Sequence, residues 1–405
     1  MRLTAFAATL LGLALAAPLA HAQSVPCQKN MAFGRWLDGV KKEALGDGVS
    51  PQTVSQLLDG VGFAKNIVGK DRAQSVFSQT FLEFSKVRVT AGRLQTGAKL
   101  IKKNAKLFQR IEQEFGVPAP VIVAFWGLET DFGKVTGNLP TIPSLAALAY
   151  DCRRPERFRP ELIAALKLVE SGDVEASELR GAWAGELGHF QFLPSYFLKY
   201  GVDYDGDGRR DPIGSVPDAL ASAASYLKGL GWKPGEPWVE EVAVPGDLPW
   251  EQADLAITHP RAKWAAAGIA KPDGSPLEAD DLPAALVLPM GRNGPAFLVY
   301  DNFRNVYLTW NESLIYALTA AYNATRLAGA PPVSKGRGPV VAFGYKEITE
   351  LQKLLVARGY DVGKPDGKLG AGTRKAVKEA QLKLGLPADS YPTPELLKRL
   401  RADEG

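Results

Sequence analysis

The sequence predicts a mainly α protein: an α+β body with a small β-rich insertion, followed by a small three-helix bundle. Three observations carry this reading. Apolar residues recur at three- and four-residue spacing through most of residues 33–226 and again over 313–329, the period of one helical face. Between those stretches the period changes to short runs rich in β-branched residues and bounded by Pro and Gly. A Pro/Gly/Ser segment then precedes a last stretch that carries its own helix caps.

The first 22 residues hold one positive charge at Arg2, an apolar run from Ala5 to Ala17 and the small-x-small ending Ala20-His21-Ala22, the pattern of a cleaved secretory signal peptide. The run is shorter than the ~20 residues that span a bilayer, and no later segment is apolar for long enough. No Leu-rich box abuts Cys27, so a lipid anchor is not expected. The mature chain is expected to be soluble and exported, with the periplasm as its compartment.

The body, 23–328, opens with helical runs such as "FSQTFLEFSKVRV" and stays mostly helical through Tyr226. "WVEEVAVP", "AALVLPM" and "AFLVYD" read as strands of an insertion, and "SLIYALTAAYNATRLAG" returns to helix. The stretch 329–342, beginning "GAPPVSKGRGP", has little to bury and reads as a linker. In 343–405, Ile348, Leu351, Leu354 and Leu355 share a helical face that Gly359 can cap. "TRKAVKEAQLKLG" forms a second helix, and Thr393 with Pro394 starts a third. A module this small favours binding over enclosing an active site.

A net charge of +4 without a dense Lys/Arg block argues against nucleic acid; the mild excess suits a polyanionic wall. Two cysteines in an exported chain allow one intramolecular pairing. A Cys27–Cys152 disulfide is therefore expected, with roughly 2–4 kcal/mol of stabilisation. Beyond the signal peptide only His189 and His259 remain, without HExxH spacing, which disfavours a zinc hydrolase. Neither a G-x-S-x-G elbow nor a phosphate loop is present. Carboxylate chemistry is what remains.

One carboxylate is unusually placed. In "VIVAFWGLETDFGKVTGN", Ile122, Phe125, Trp126 and Glu129 fall at i, i+3, i+4 and i+7, so the acid continues an apolar helical face. Desolvation raises the pKa of such a group, which suits a general acid for a glycosidic oxygen; a snorkelling helix-end Glu is the plainer alternative. Ordinary glycosidases need a second carboxylate. Asp131 faces elsewhere, and Glu186 in "GAWAGELGHFQFLP" is the candidate.

"WGLETDFG", "YDCRRPERF", "GAWAGELGHFQFLPS", "DYDGDGRRDPIGSVPDALAS" and "WNESLIYAL", in this order, resemble the B-type lytic murein transglycosylases over roughly residues 30 to 328. The C-terminal "LQKLLVARGYDVGKPDGKLGAGTRKAVKEAQLKLGLPADSYPTPELLKRL" resembles a peptidoglycan-binding domain, with Ala380 where an aromatic is expected. The resemblance implies a lysozyme-like fold and cleavage of the β-1,4 bond between N-acetylmuramic acid and N-acetylglucosamine. The muramyl C6 hydroxyl closes a 1,6-anhydro ring, and no catalytic cofactor is needed. It implies Glu129 as acid and then base, with Thr130 and Gly133 shaping the turn after it. Gln191, Asn311, Tyr316, Tyr226, Arg153 and Arg154 are implied as substrate-binding residues. Glycan strands are then the partner, and a muramidase or an inactive wall-binding scaffold are the rivals. Two departures stand out: Ala182 where Ser is common, and Trp310 where Tyr is common before Asn.

The loop from Asp203 through Asp205, Asp207 and Arg209 begins like an EF-hand, with Gly208 at the sixth position, but position 12 is Gly214. The resemblance supplies Asp218 as the closing ligand of a structural calcium site. Ser215-Val-Pro-Asp218 is equally a capping-box pattern.

Overall fold

A computed structural model describes residues 30–72 and 79–402. The signal-peptide reading of 1–22, and Cys27, lie outside the described residues. The chain is mostly helical with small sheets, as expected.

Two apolar cores build the body. One gathers Trp36, Leu37, Val40, Leu58, Ile142, Leu145, Leu162, Leu166 and Phe197 from helices including Phe33–Gly46, Thr141–Tyr150 and Pro155–Glu170. The other is built around the helix Ala119–Thr130, which packs on Leu314–Leu327 and Ala91–Lys103. The insertion is a four-stranded antiparallel sheet in the order Val239–Val242, Ala296–Val299, Pro283–Val287, His259–Pro260. Its register pairs Val239 with Val299 and Val287 with Phe297.

Successive strand residues face opposite sides of a sheet. Ala285, Val287, Phe297 and Val299 join the main body core, whereas Ala284, Leu286, Ala296 and Leu298 cover a separate core with Trp250 and Trp264. Burial on both faces explains why "AALVLPM" and "AFLVYD" read as continuous apolar runs instead of alternating. Shorter pairings escaped the sequence reading: Leu139–Pro140 with Arg180–Gly181, and His259–Pro260 at the sheet edge. Two residues carry no periodicity to detect.

The C-terminal helices Tyr345–Ala357, Ala371–Lys383 and Pro394–Ala402 close around Ile348, Leu351, Leu355, Val377, Leu396 and Leu400. Thr393 Oγ1 caps the last helix through the N–H of Leu396 at 3.2 Å. Gly359 takes φ 80°, and the N–H of Tyr360 returns to the Leu355 carbonyl at 3.1 Å.

The segment 329–342 is more occupied than its composition suggested. Val333 and Val340 pack on the body core. Ser334 N donates to Glu241 Oε1 at 2.8 Å, and Arg337 N and Gly338 N both donate to the Asn293 carbonyl, at 2.9 and 3.1 Å. Gly336, at φ 84°, lies too close to Asn293 for a side chain. Two isolated valines and a glycine are a weak signal in sequence, and their partners lie far along the chain.

Candidate active site

The helix carrying Glu129 is not amphipathic. Val121, Ile122, Val123, Ala124, Phe125 and Trp126 are all buried, so this helix runs through the core and is apolar all round. Glu129 is half-buried at its C-terminal end.

The turn that follows is tightly held. Asp131 and Phe132 both lie in the left-handed region, at φ 49° and 63°, a strain of order 1–3 kcal/mol each. Thr130 Oγ1 donates to the His189 carbonyl at 2.7 Å and accepts from Gly133 N at 2.9 Å. A Cβ at Gly133 would overlap the His189 ring. Trp126 Nε1 donates to His189 Nδ1 at 2.9 Å, which leaves the ring proton on Nε2. His189 thus clamps the end of the acid's helix to the loop 181–193.

Glu129 opens on a cavity of about 670 Å³. Gln191, Tyr226 and Asn311 line it with Glu129, as do Arg157, Glu161, Ala182, Trp183, Glu186, Tyr196, Phe190, Phe192 and Trp310. Two donors meet one oxygen of the acid: Trp310 Nε1 reaches Glu129 Oε1 at 2.9 Å, and the Tyr316 hydroxyl donates to the same atom. Burial pushes the Glu129 carboxyl above its ordinary range, these two hydrogen bonds pull it back, and the nearby Glu186 charge raises it further. Tyr316 is not among the lining residues; it supports Glu129 from the helix Leu314–Leu327, and burial pushes its hydroxyl up.

Trp310 stacks on Phe125 with ring centroids 4.2 Å apart and 26° between planes. Tyr226 packs against Trp310 at 5.3 Å and stacks with Tyr196 at 5.1 Å, giving the cavity an aromatic wall. Burial pushes the Tyr226 hydroxyl up as well.

Gln191 takes φ 51°, and its Nε2 donates to the carbonyls of Thr136 and Gly188, each at 3.0 Å. The nitrogen is thus committed to backbone, and Oε1 is the atom left for a ligand. Asn311 Oδ1 accepts from Ser313 N at 3.0 Å, which leaves its amide nitrogen and the second lone pair of Oδ1 for a ligand.

Arg153 and Arg154 are not among the residues that line this cavity. Arg153 Nη1 pairs with Asp71 Oδ1 at 2.5 Å and Arg154 Nη2 pairs with the same oxygen. Asp71 is 2% exposed, and a buried carboxylate demands such partners. Sequence could not place Asp71 beside them, more than eighty positions away. Arg157 lines the cavity instead, one helical turn further on. Cys152 is disulfide-bonded; its expected partner Cys27 lies outside the described residues.

In the acidic loop, Asp203, Asp205 and Asp218 bring one carboxylate oxygen each within 4.8 Å of one another. Asp207 does not join them. Its Oδ1 accepts from Arg209 N at 2.8 Å, an Asx-type turn that directs it away. The Arg209 side chain pairs with Glu178 at 2.9 Å, so only its carbonyl is available. Ser215 caps the helix Val216–Gly229, but the Asp218 carboxylate does not return to Ser215 N. It accepts from the N–H groups of Tyr204, Asp205 and Asp211, at 2.7, 3.2 and 2.8 Å. Half of the capping-box pattern is present, and burial pushes the Asp218 carboxyl up.

Comparison with known proteins follows the same division of the chain. A family model for a transglycosylase SLT domain matches residues 32–325, and one for a peptidoglycan binding domain matches 344–400. Membrane-bound lytic murein transglycosylase B of Escherichia coli K12 is 30% identical over 244 residues, 59% of this chain and 64% of that protein; the chain therefore spans less than two thirds of that relative's length. SltB3 from Pseudomonas aeruginosa, solved in complex with NAG-anhNAM-pentapeptide, superposes with TM-score 0.85 at 39% identity, covering 92% of this chain and 100% of that one. The E. coli lytic transglycosylase Slt35 in complex with calcium gives TM-score 0.62 at 25% identity over 72% of this chain and 92% of that one. Among the described residues no helix is long and apolar enough to cross a membrane.

Proposed function

The chain belongs to the transglycosylase SLT domain family, and we propose that it is a lytic murein transglycosylase acting on peptidoglycan. It cleaves the β-1,4 bond between N-acetylmuramic acid and N-acetylglucosamine. The observation that carries this reading is the state of Glu129: a desolvated carboxyl at a cavity wall, with Oε1 accepting from Trp310 and Tyr316. An oxygen that already accepts two hydrogen bonds is a poor seat for a proton, so the acid form carries its proton on Oε2. That proton goes to the glycosidic oxygen as the bond to C1 breaks. The resulting carboxylate takes the proton of the muramyl C6 hydroxyl while O6 bonds to C1, which regenerates the acid without water. The reaction needs no cofactor.

Gln191 Oε1, the Asn311 amide nitrogen and the Tyr226 face position the sugars. Residues 343–405 hold the wall, 329–342 join them to the body at 23–328, and residues 1–22 direct export to the periplasm. Asp203, Asp205 and Asp218, with the Arg209 carbonyl, would hold a structural calcium ion. Such an ion neutralises the clustered carboxylates and ties the loop to the helix that supplies Tyr226. The calcium complex of Slt35 supports this assignment.

Glu129→Gln keeps the shape but cannot deliver a proton, so it should abolish cleavage of purified sacculi while leaving wall binding intact. Mass spectrometry of wild-type products should find 1,6-anhydromuramyl ends, one water lighter than hydrolysis products. Reducing ends would favour a muramidase with Glu186, which lines the same cavity, as the second carboxylate.

A further inference from the structure

An indole N–H can only donate, and the partner of Trp126 is an imidazole nitrogen. The contact from Trp126 Nε1 to His189 Nδ1, at 2.9 Å, therefore exists only while that nitrogen carries no proton. A proton there would turn two donors on each other and charge a half-buried ring. The mechanism above uses neither side chain.

His189 joins three parts of the site. Its carbonyl accepts from Thr130 Oγ1, next to Glu129, and its ring covers Gly133 in the strained turn that follows. Trp126, three residues before Glu129, holds the same turn, because its carbonyl accepts from Phe132 N at 3.1 Å. On the other side His189 N donates to the Pro212 carbonyl in the acidic loop at 3.2 Å, and Gln191 stands two residues on. The acid's helix end, the cleft glutamine and the acidic loop thus meet on one residue whose ring can titrate.

Few charges bear on that ring. Burial holds the imidazole below its ordinary 6.5, and Asp211 in the acidic loop pulls it part of the way back. Asp131, in the turn, is already paired with Arg93 and Lys134, at 3.5 and 3.2 Å. Glu129 and Glu186 face the cavity, and His189 is not among the residues that line it.

We propose that His189 is a positioning residue: its neutral imidazole locks the helix end that carries Glu129 to the loop that carries Gln191, and protonation of Nδ1 opens the lock and sets the acid limit of cleavage. This rests on the transglycosylase reading for Glu129 as the acid, but not for the lock itself.

The test uses the full-length chain. On a soluble peptidoglycan tetrasaccharide, wild-type kcat/KM should fall on the acid side by about tenfold per pH unit, the slope of one essential unprotonated group. The midpoint should lie below 6.5. An NMR titration of the His189 ring, told from the chain's other two histidines by its absence in His189→Asn, should give the same midpoint. His189→Asn sets an Oδ1 near the position of Nδ1, where it accepts from Trp126 and does not titrate. That variant should lose the acid limb and keep the alkaline limb that deprotonation of Glu129 sets. An unfolded ring takes up a proton at a pH where the folded one still refuses it, so stability drops as pH falls through that interval. The melting temperature of wild type should fall there, and that of His189→Asn should fall less. An acid limb that persists in His189→Asn would overturn the proposal. So would a wild-type ring that titrates away from the limb, a comparison that needs no variant to fold. Product analysis is separate: reducing ends with a limb that follows His189 would remove the transglycosylase reading and leave the lock, and anhydro ends with an unmoved limb would do the reverse.

Discussion

Glu129 sits between opposing influences, and their balance is measurable. Burial and the charge of Glu186 favour the protonated form, whereas the donors Trp310 and Tyr316 favour the carboxylate. In the proposed mechanism cleavage requires the proton, so kcat/KM should fall as pH rises through a value above the ordinary 4.5 of a glutamate. Trp310→Phe preserves an aromatic ring to stack on Phe125 but removes the indole N–H, a group that can only donate. The anion loses a stabilising partner, and the alkaline limb of the pH–rate profile should move to higher pH. An unmoved limb would mean that the indole serves packing alone. At this scale the sequence marked Trp310 as a departure and Glu129 as a buried acid. It held no sign that the two touch, because 181 positions separate them.

Among elements, the acidic loop and the helix Val216–Gly229 show how far a local pattern reaches. Ser215 as N-cap was legible because capping depends on residues three apart. The choice of the Asp218 carboxylate was not, since its donors Tyr204, Asp205 and Asp211 are brought near only by the path of the loop. A bound ion stabilises the folded state alone. Calcium should therefore raise the melting temperature of the wild type and of Asp207→Ala, whose carboxylate lies outside the cluster, but not that of Asp205→Ala. Asp205 also accepts from Ser215 Oγ at 2.6 Å, so Asp205→Ala should lose some stability even in chelator. A calcium response retained by Asp205→Ala would remove the ion from the site.

For the whole molecule, the C-terminal bundle is docked as well as folded. Tyr391 packs into the body core, Arg374 Nη2 donates to the Pro289 carbonyl at 2.7 Å, Lys378 pairs with Asp254 at 2.7 Å, and Asp389 Oδ2 accepts from Arg292 N at 3.0 Å. Gln381 holds that docking loop through Asp389 and the Tyr391 carbonyl, at 2.9 and 3.0 Å. The linker strapped to the sheet adds to this. Deleting everything after Gly338 should weaken binding to intact sacculi, as loss of any wall-holding module would. It should also lower the melting temperature of the remaining body by a few degrees, since buried apolar surface around Met290 becomes exposed. A body as stable as the full chain would show that the docking contributes nothing.

The sequence by itself determined the helical periods, the caps at Ser215 and Thr393, the β-rich insertion and the desolvated acid at the end of an apolar helix. Each of these follows from residues within a few positions of one another, where backbone geometry dictates which side chains meet. Only the tertiary structure decided that Arg153 and Arg154 neutralise Asp71 while Arg157 lines the cleft, that Gln191 presents an oxygen alone, and that Trp310 and Tyr316 share one oxygen of Glu129. Those outcomes are competitions between polar groups for partners, and burial settles them by making an unpaired charge or donor costly. Which groups compete is fixed by contacts between segments tens to hundreds of residues apart, and no local pattern encodes them.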